Sequence, residues 1–257
     1  MDDAALGPLL GTGKEAEVFA YGAAVAKLYR TGAGKAVAFR EAAILAMVET
    51  VGLPTPGVHA VDRFGDRWGI VMGRADGVSF GAAMQQTPTA APRYIEAMAA
   101  LHRAIHARSL PQLGSLKARL ATNIGRAPQL DDALRAKLLA GLAEMPDGAQ
   151  LCHGDFHPFN ILGEPGAAMV VDWLDATAGD PAADVCRSYV LMRPRWESVA
   201  RDYVDSYVAA TGVSRAAVMA WLPFVAAARL AEGVPQEEAA LLALAEAGFR
   251  GASPHGG

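Results

Sequence analysis

The residues with the clearest chemical potential lie in one short stretch, CHGDFHPFN, which ends at Asn160. Within it, four residues separate Asp155 from Asn160, and Asp172 ends an apolar run twelve positions after Asn160. This layout is the one that kinases use for phosphoryl transfer. In that chemistry the first Asp takes the proton of the acceptor hydroxyl, while the Asn and the second Asp hold magnesium on the nucleotide phosphates. The spacing therefore predicts Asp155 as the catalytic residue, and Asn160 and Asp172 as metal ligands.

Two other interpretations of this stretch use the same residues. His153 and His157 are of a type that binds zinc, but no second ligand pair accompanies them. Pro158 also keeps these two histidines off a shared helix face. Asp155 and Asn160 are common in turns, so a purely structural loop would explain them locally. Partner motifs upstream favour the phosphoryl-transfer interpretation.

The first partner motif is Lys27, which interrupts the apolar run VAKLY. In kinases, a strand of this kind carries the lysine that pairs with the nucleotide phosphates. Glu41 falls among the apolar positions of a helical pattern over residues 35–51, so it should point inward. Because an unpaired buried charge is costly, a carboxylate in that place needs a cationic partner. We expect Glu41 to pair with Lys27 and to position it.

A glycine-rich segment, LGTGKEAEVF, precedes this lysine. A Walker A phosphate loop does not fit, because Pro8 stands where its first glycine should be. The letters also fit a dinucleotide-binding fingerprint, but that motif must open a long helix. Residues 17–22 instead read as a short strand that ends in a turn. We therefore favour a hairpin lid over the phosphates, in which Gly11 and Gly13 allow close backbone approach and Val18 covers the adenine.

The organisation of the chain changes once, near the end of its first third. Residues 1–73 mix short apolar runs with Gly and Pro turns, which predicts an N-terminal antiparallel sheet that carries one main helix. Residues 74–78 are predicted as a hinge, with Met72 as gatekeeper and Arg74 beside the adenine. Residues 79–257 are mostly helical in periodicity. These features predict an α+β fold with two lobes, the second carrying the catalytic loop and the acceptor pocket.

The two lobes and the motif order resemble the aminoglycoside phosphotransferase and choline kinase-like family, the small-molecule branch of the protein-kinase-like fold. Its catalytic loop typically reads H-G-D-x-x-x-x-N, with Gly where protein kinases carry Arg. The segment GDPAADV, which begins at Gly179, resembles a second signature of that family. The resemblance implies ATP as phosphate donor, with GTP as an alternative, and Mg²⁺. It also implies supporting roles for His153, which would brace the loop, and for Asp180 and Asp184, although a helix N-cap and a first-turn acid would explain these two locally.

The length of the segment after Asp172 indicates which kind of acceptor the protein uses. Only eight residues separate Asp172 from Pro181, and Thr177 is the only hydroxyl residue among them. A peptide-binding activation loop gated by phosphorylation has no room there. We therefore predict a small-molecule hydroxyl acceptor, with aminoglycosides as the first guess and choline-, homoserine- or sugar-like metabolites next. A protein kinase and a nucleotide-binding pseudokinase are the alternatives.

Two further expectations concern the helical region. His102 lies on the apolar face of a helical pattern over residues 93–106, so it is predicted as a core histidine and not a catalytic one. Acids near the C-terminus, such as Glu232 and Glu237, are mostly predicted to lie on solvated helix faces.

Composition supports a folded enzyme of the cytoplasm. The 257 residues are 52% hydrophobic and 19% charged, with a mean hydropathy of +0.18, which is too apolar for a disordered chain. A net charge of −4 argues against a nucleic-acid partner. The start Met1-Asp2-Asp3 has neither a basic region nor an apolar core, and no apolar run is long enough for a bilayer. We expect no membrane partner, and the oligomeric state stays open.

Overall fold

The computed structural model of the protein describes residues 6–32 and 34–249. The first five residues, on which the cytoplasmic expectation partly rests, lie outside this part. The chain forms two compact units. The first runs to Gln86 and also contains Pro158–Leu174, and the second contains Thr87–His157 and the residues from Asp175 onward. The predicted hinge at residues 74–78 therefore lies inside the first unit.

The first unit is built on a five-stranded antiparallel sheet with the order β1-β2-β3-β5-β4. Tight turns at Gly22 and Gly65, both with positive φ, join β2 to β3 and β4 to β5. Two short antiparallel pairs, β6 with β9 and β7 with β8, complete the strands of the described residues. The strands are β1 (Leu9–Thr12), β2 (Ala16–Tyr21), β3 (Ala24–Tyr29), β4 (Val58–Phe64), β5 (Arg67–Gly73), β6 (Gln150–Cys152), β7 (Ile161–Leu162), β8 (Met169–Val170) and β9 (Thr177–Gly179).

Helix α1 (Lys35–Glu49) contacts β4 and β5. Its buried face carries Ala38, Ile44, Leu45 and Val48, which recur at helical spacing. Glu41 lies on this same face, among apolar side chains. The sheet and the single long helix confirm the predicted architecture of the N-terminal region.

The second unit is mostly helical, which confirms the predicted α+β class. Helix starts follow local chemistry, because Ser115, Asp131 and Asp180 each accept a hydrogen bond from a first-turn backbone N–H. None of the helices among the described residues is long and apolar enough to cross a membrane. The remaining helices are α2 (Phe80–Gln86, in the first unit), α3 (Ala91–His106), α4 (Leu116–Arg126), α5 (Asp132–Glu144), α6 (Pro181–Met192), α7 (Glu197–Thr211), α8 (Arg215–Met219), α9 (Leu222–Leu230) and α10 (Glu238–Ala247).

Candidate active site

Lys27 forms the ion pair that the sequence predicts. It lies in β3, and its Nζ is 2.7 Å from Oε1 of Glu41. Glu41 is only 2% exposed. Tyr29, two residues further along β3, donates its hydroxyl hydrogen to Oε2 of Glu41. Because alternate strand residues point to the same face, Lys27 and Tyr29 reach one helix residue together and hold both of its carboxylate oxygens.

Asp172 completes this cluster in the first unit. Its Oδ1 lies 2.9 Å from Nζ of Lys27, and its side chain is 43% exposed. It is the one non-glycine residue with a positive φ, 65°, among the described residues. The N–H of the preceding Val171 donates to the backbone oxygen of Asn160 at 2.9 Å, which ties the two predicted metal ligands into one local structure. Unusual backbone conformations of this kind concentrate at functional sites.

Burial and neighbouring charges shift the pKa values of this cluster in opposite directions. Burial lowers the pKa of Lys27, but the carboxylates of Glu41 and Asp172 raise it by more, so the pKa lies above its ordinary value. Burial also raises the pKa of Glu41, against the ammonium of Lys27, which lowers it. Lys27 therefore remains an ammonium at neutral pH and presents a fixed positive charge between two carboxyl groups.

The catalytic loop begins where β6 ends, in the second unit. The backbone N–H groups of His153 and Gly154 donate to the two oxygens of Asp184 at 2.6 and 2.9 Å. The N–H of Asp155 donates to Nδ1 of His153 at 3.2 Å, so the buried imidazole braces the loop. Gly154 has φ +80°, and a Cβ there would lie 2.2 Å from the carbonyl oxygen of Asp175. Only glycine fits at this position.

Asp155 lies near a histidine of the same loop. Its Oδ2 is 3.5 Å from Nε2 of His157. Burial raises the pKa of Asp155, but the hydrogen bond and charge of His157, with smaller contributions from Arg187 and His153, lower it by more. The net pKa is well below the ordinary value for aspartate. Asp155 is therefore an ionised acceptor at neutral pH, suited to orienting a hydroxyl and to taking its proton as phosphoryl transfer proceeds.

Asp184 anchors the loop to a buried histidine and tyrosine network. Nε2 of His102 and of His106 lie 2.9 and 3.3 Å from its Oδ2. The Nδ1 atoms of the two histidines accept from the hydroxyls of Tyr203 and Tyr207. Burial lowers the pKa of His102 to about 3, so its neutral ring donates to Asp184. These residue types also suit a metal ion, but the hydrogen bonds on both nitrogens of each ring explain the cluster without one.

The predicted nucleotide-binding residues of the first unit are placed as follows. Gly11 pairs with Val18 across β1 and β2, and the N–H of Gly13 donates to the oxygen of Ala16 at 2.8 Å. The glycine-rich segment is therefore a hairpin, as the sequence indicates, and not the start of a helix. Met72 is buried in β5.

The two remaining predicted residues are Arg74 and Asp180. Arg74 follows β5, is 45% exposed, and lies 3.7 Å from Asp76. The side chain of Asp180 caps α6 by accepting from the N–H of Ala182 at 2.8 Å. Asp184, one turn further along the helix, accepts the two backbone N–H bonds of the catalytic loop described above. A supporting role for Asp184 is also predicted from the sequence, and its side chain lies on the buried face of α6.

Comparison with known proteins places this geometry in a family. Residues 10–221 match the family described as "Phosphotransferase enzyme family". The chain belongs to this family. The match covers the lysine strand, the catalytic loop and Asp172, and it confirms the predicted phosphotransferase class. No curated protein matches the chain.

Solved structures show where the fold recurs. A thermostable mutant of aminoglycoside phosphotransferase APH(4)-Ia, in a ternary complex with ADP and hygromycin B, has a TM-score of 0.71 at 19% identity, over 96% of this chain and 94% of that one. Aminoglycoside-3'-phosphotransferase of type VIII has a TM-score of 0.64 at 20% identity, over 89% and 93%. APH(3'')-Id from Streptomyces rimosus, with ADP and streptomycin, has 0.63 at 18%, over 88% and 93%. The protein has the fold of these enzymes.

Proposed function

We propose that the protein is an ATP-dependent kinase that transfers the γ-phosphoryl group to a hydroxyl of a small molecule. The observation that carries this proposal is the Lys27 ammonium held between Glu41 and Asp172, in a member of a phosphotransferase family. A fixed ammonium of this kind binds phosphate oxygens. Similar folds have been solved with ADP and with AMP-PNP, which supports a nucleotide donor, ATP first and GTP as the alternative.

Asn160 and Asp172 fit magnesium by their donor atoms. An amide oxygen and a carboxylate oxygen are the hard ligands that Mg²⁺ prefers, and the exposure of Asp172 leaves access for an ion. When bound, Mg²⁺ neutralises charge that develops on the phosphates. Lys27 would bind phosphate oxygens, and the hairpin with Gly11 and Gly13 would cover them. Val18, Met72 and Arg74 are proposed to line the adenine, a role that their positions in and beside the sheet permit.

The reaction requires little covalent chemistry from the protein itself. The acceptor oxygen attacks the γ-phosphorus, the bond to the leaving ADP oxygen breaks, and the acceptor proton passes to Asp155. Positioning and charge neutralisation supply most of the rate. His153 and Asp184 contribute by fixing the loop that carries Asp155.

Aminoglycosides are the first acceptors to test, because the similar solved structures hold hygromycin B and streptomycin. The short segment after Asp172 supports a small molecule over a peptide. Amino alcohols and sugars form the second group of candidates. The cytoplasmic location stays a prediction.

The test is ADP release with Mg²⁺-ATP and two panels, small hydroxylated compounds and Ser/Thr peptides. We expect turnover with a small compound, and its loss in Asp155→Asn but not in the exposed control Asp132→Asn. Robust phosphorylation of peptides, with no activity on any small compound, would overturn the proposed acceptor class. Failure of Mg²⁺-ATP to bind would overturn the kinase itself.

A further inference from the structure

Helix α6 contacts the catalytic loop through two side chains, one acidic and one basic. Asp184 accepts two backbone hydrogen bonds from the loop, as described above. Arg187, three positions further along α6, donates from Nε to the backbone oxygen of Gly154 at 3.1 Å. Residues three apart lie on the same face of a helix, so this face offers both an acceptor and a donor to the loop. The two side chains therefore satisfy backbone groups of opposite polarity.

The peptide group between Gly154 and Asp155 is held at both of its polar ends. Arg187 bonds its carbonyl oxygen, and its N–H, which belongs to Asp155, donates to Nδ1 of His153 at 3.2 Å. Because a peptide group is planar, two bonds on opposite sides of it leave little freedom to rotate. The orientation of this plane sets the direction in which the Asp155 side chain leaves the backbone. Arg187 therefore helps to orient the predicted catalytic carboxylate.

Arg187 also contributes to the electrostatic surroundings of Asp155. Burial raises the pKa of Asp155, while the hydrogen bond and charge of His157 lower it. The charges of Arg187 and then of His153 lower this pKa further. The two histidines belong to the loop itself, whereas Arg187 comes from α6 and also interacts with the carboxylate of Asp175. A guanidinium stays charged at every working pH, so Arg187 supplies a permanent positive charge to this carboxylate.

A network of ion pairs holds Arg187 in turn. Nη1 of Arg187 lies 2.6 Å from Oε1 of Glu232, and the other oxygen of Glu232 lies 2.6 Å from Nη1 of Arg229. Arg229 also donates to both oxygens of Glu237, at 2.6 Å from Nε and 2.9 Å from Nη2. The two arginines are only 12% and 11% exposed, so solvent screens these pairs weakly. Glu232 and Glu237 thus depart from the solvated faces predicted for these acids.

Three members of this ion-pair network, Arg229, Glu232 and Glu237, lie in the C-terminal part of the protein. The match to the phosphotransferase family ends at residue 221, before all three. Arg229 is in α9, Glu232 follows that helix, and Glu237 directly precedes α10. The network therefore links the C-terminal helices to the peptide group before Asp155 through residues that the family match does not include.

Building on the kinase function proposed above, we propose that Arg187 is a positioning residue for phosphoryl transfer and that Glu232 holds it in place. Arg187 acts through the Gly154–Asp155 peptide group. The ion-pair network makes the segment after residue 221 a support of the active site. Because the predicted nucleotide-binding residues lie in the first unit, loss of Arg187 should affect the chemical step and leave nucleotide affinity unchanged.

Amide hydrogen exchange of the free protein tests the positioning directly. Arg187→Met removes the donor to Gly154 and leaves Glu232 with its second arginine, so the variant should fold. We expect the amides of Gly154 and Asp155 to exchange about tenfold faster, the factor that corresponds to one charge-assisted hydrogen bond. Amides of α1, in the first unit, should keep their wild-type rates. Arg201→Met removes an exposed arginine of α7 and is the matched control, which should change neither set of amides.

ADP release from Mg²⁺-ATP, with hygromycin B and streptomycin as the first acceptors, tests the chemical step. In Arg187→Met, kcat should fall by about one to two decades, the effect of a small misplacement of a catalytic group, while KM for ATP stays unchanged. Arg187→Lys keeps a positive charge and a donor, so it should recover part of this loss. Glu232→Gln should lower kcat by a smaller factor alone and by nothing further in Arg187→Met, because it acts through Arg187.

The outcomes separate this proposal from the kinase assignment. Unchanged exchange at Gly154 and Asp155 in Arg187→Met would overturn the positioning role, whichever acceptor the protein uses. Parallel losses of kcat and ATP affinity, without recovery in Arg187→Lys, would show that Arg187 only stabilises the fold.

Glu232→Gln keeps the arginine and gives the same exchange comparison if Arg187→Met does not fold. Additive losses of kcat for Glu232→Gln and Arg187→Met would reject the role of the ion-pair network. Failure of the wild type to bind Mg²⁺-AMP-PNP would reject the kinase, and the exchange result would still decide whether Arg187 holds the loop.

Discussion

The ion pair between Lys27 and Glu41 should make the effects of changing these two residues non-additive. We consider Lys27→Met, Glu41→Gln and the double variant. Lys27→Met leaves a carboxylate that is 2% exposed with the Tyr29 hydroxyl as partner. Breaking a buried pair in this way costs about 3–5 kcal/mol. Because burial raises the pKa of Glu41 and favours its protonation, we expect the lower end, about 3 kcal/mol.

Glu41→Gln should lower the free energy of unfolding by less than Lys27→Met does. The lysine keeps Asp172 at 2.9 Å, and the glutamine oxygen still accepts hydrogen bonds, so the loss is that of one charged hydrogen bond, about 2 kcal/mol. The double variant removes both charges and should lose about 3 kcal/mol, not the sum of about 5, a coupling of about 2 kcal/mol. Each single variant should lose about two to three decades in kcat/KM. The kcat/KM of the double variant should be no lower than that of the less active single variant.

Urea unfolding at pH 7 measures the double-mutant cycle in stability, and ADP release measures the double-mutant cycle in kcat/KM. Burial raises the folded-state pKa of Glu41, and removing the Lys27 ammonium, which lowers it, raises this pKa further. Protonation of Glu41 therefore stabilises the variant more than the wild type at low pH, an effect that is lost as pH rises through the raised value. The deficit of Lys27→Met should therefore be smaller at pH 5 than at pH 8. Losses that add within about 0.5 kcal/mol in both assays would show that the two residues act separately, and would refute the clamp.

Three further predictions concern the catalytic residues and the buried network. Asp155→Asn should lower turnover by about two to four decades while nucleotide affinity stays nearly unchanged, which steady-state kinetics and calorimetry measure together. Loss of both in parallel would contradict its role toward the acceptor. Asp172→Ala should weaken Mg²⁺-ATP binding and Asn160→Ala should do so more mildly, because a carboxylate is the stronger ligand. Unchanged affinity of the Asp172 variant with and without Mg²⁺ would reject the metal role. The contribution of His102 to the free energy of unfolding should fall by about 2.5 kcal/mol between pH 7 and pH 4.5, because the pKa of His102 is lowered from 6.5 to about 3 and this contribution, complete above 6.5, is lost as pH falls. A flat profile over that range would show that His102 is not held neutral.

The sequence alone determined the parts of this protein that depend on local spacing. The catalytic loop, the lysine strand and the helix that carries Glu41 were all identified from residue type and periodicity, because backbone geometry fixes which neighbours share a face. The antiparallel sheet followed from short apolar runs between Gly and Pro turns. The Lys27–Glu41 pair was predictable too, since a carboxylate on a buried face needs a cation and only one lysine lay in a suitable strand.

The tertiary structure decided which distant side chains meet. Lys27 contacts Asp172 across 145 positions of sequence, and Arg119 donates to Asp175 across 56. Asp184 anchors the catalytic loop, although its spacing after Asp180 reads equally well as the first turn of a capped helix. No periodicity carries such information, because the folding of the whole chain sets the distance between two elements.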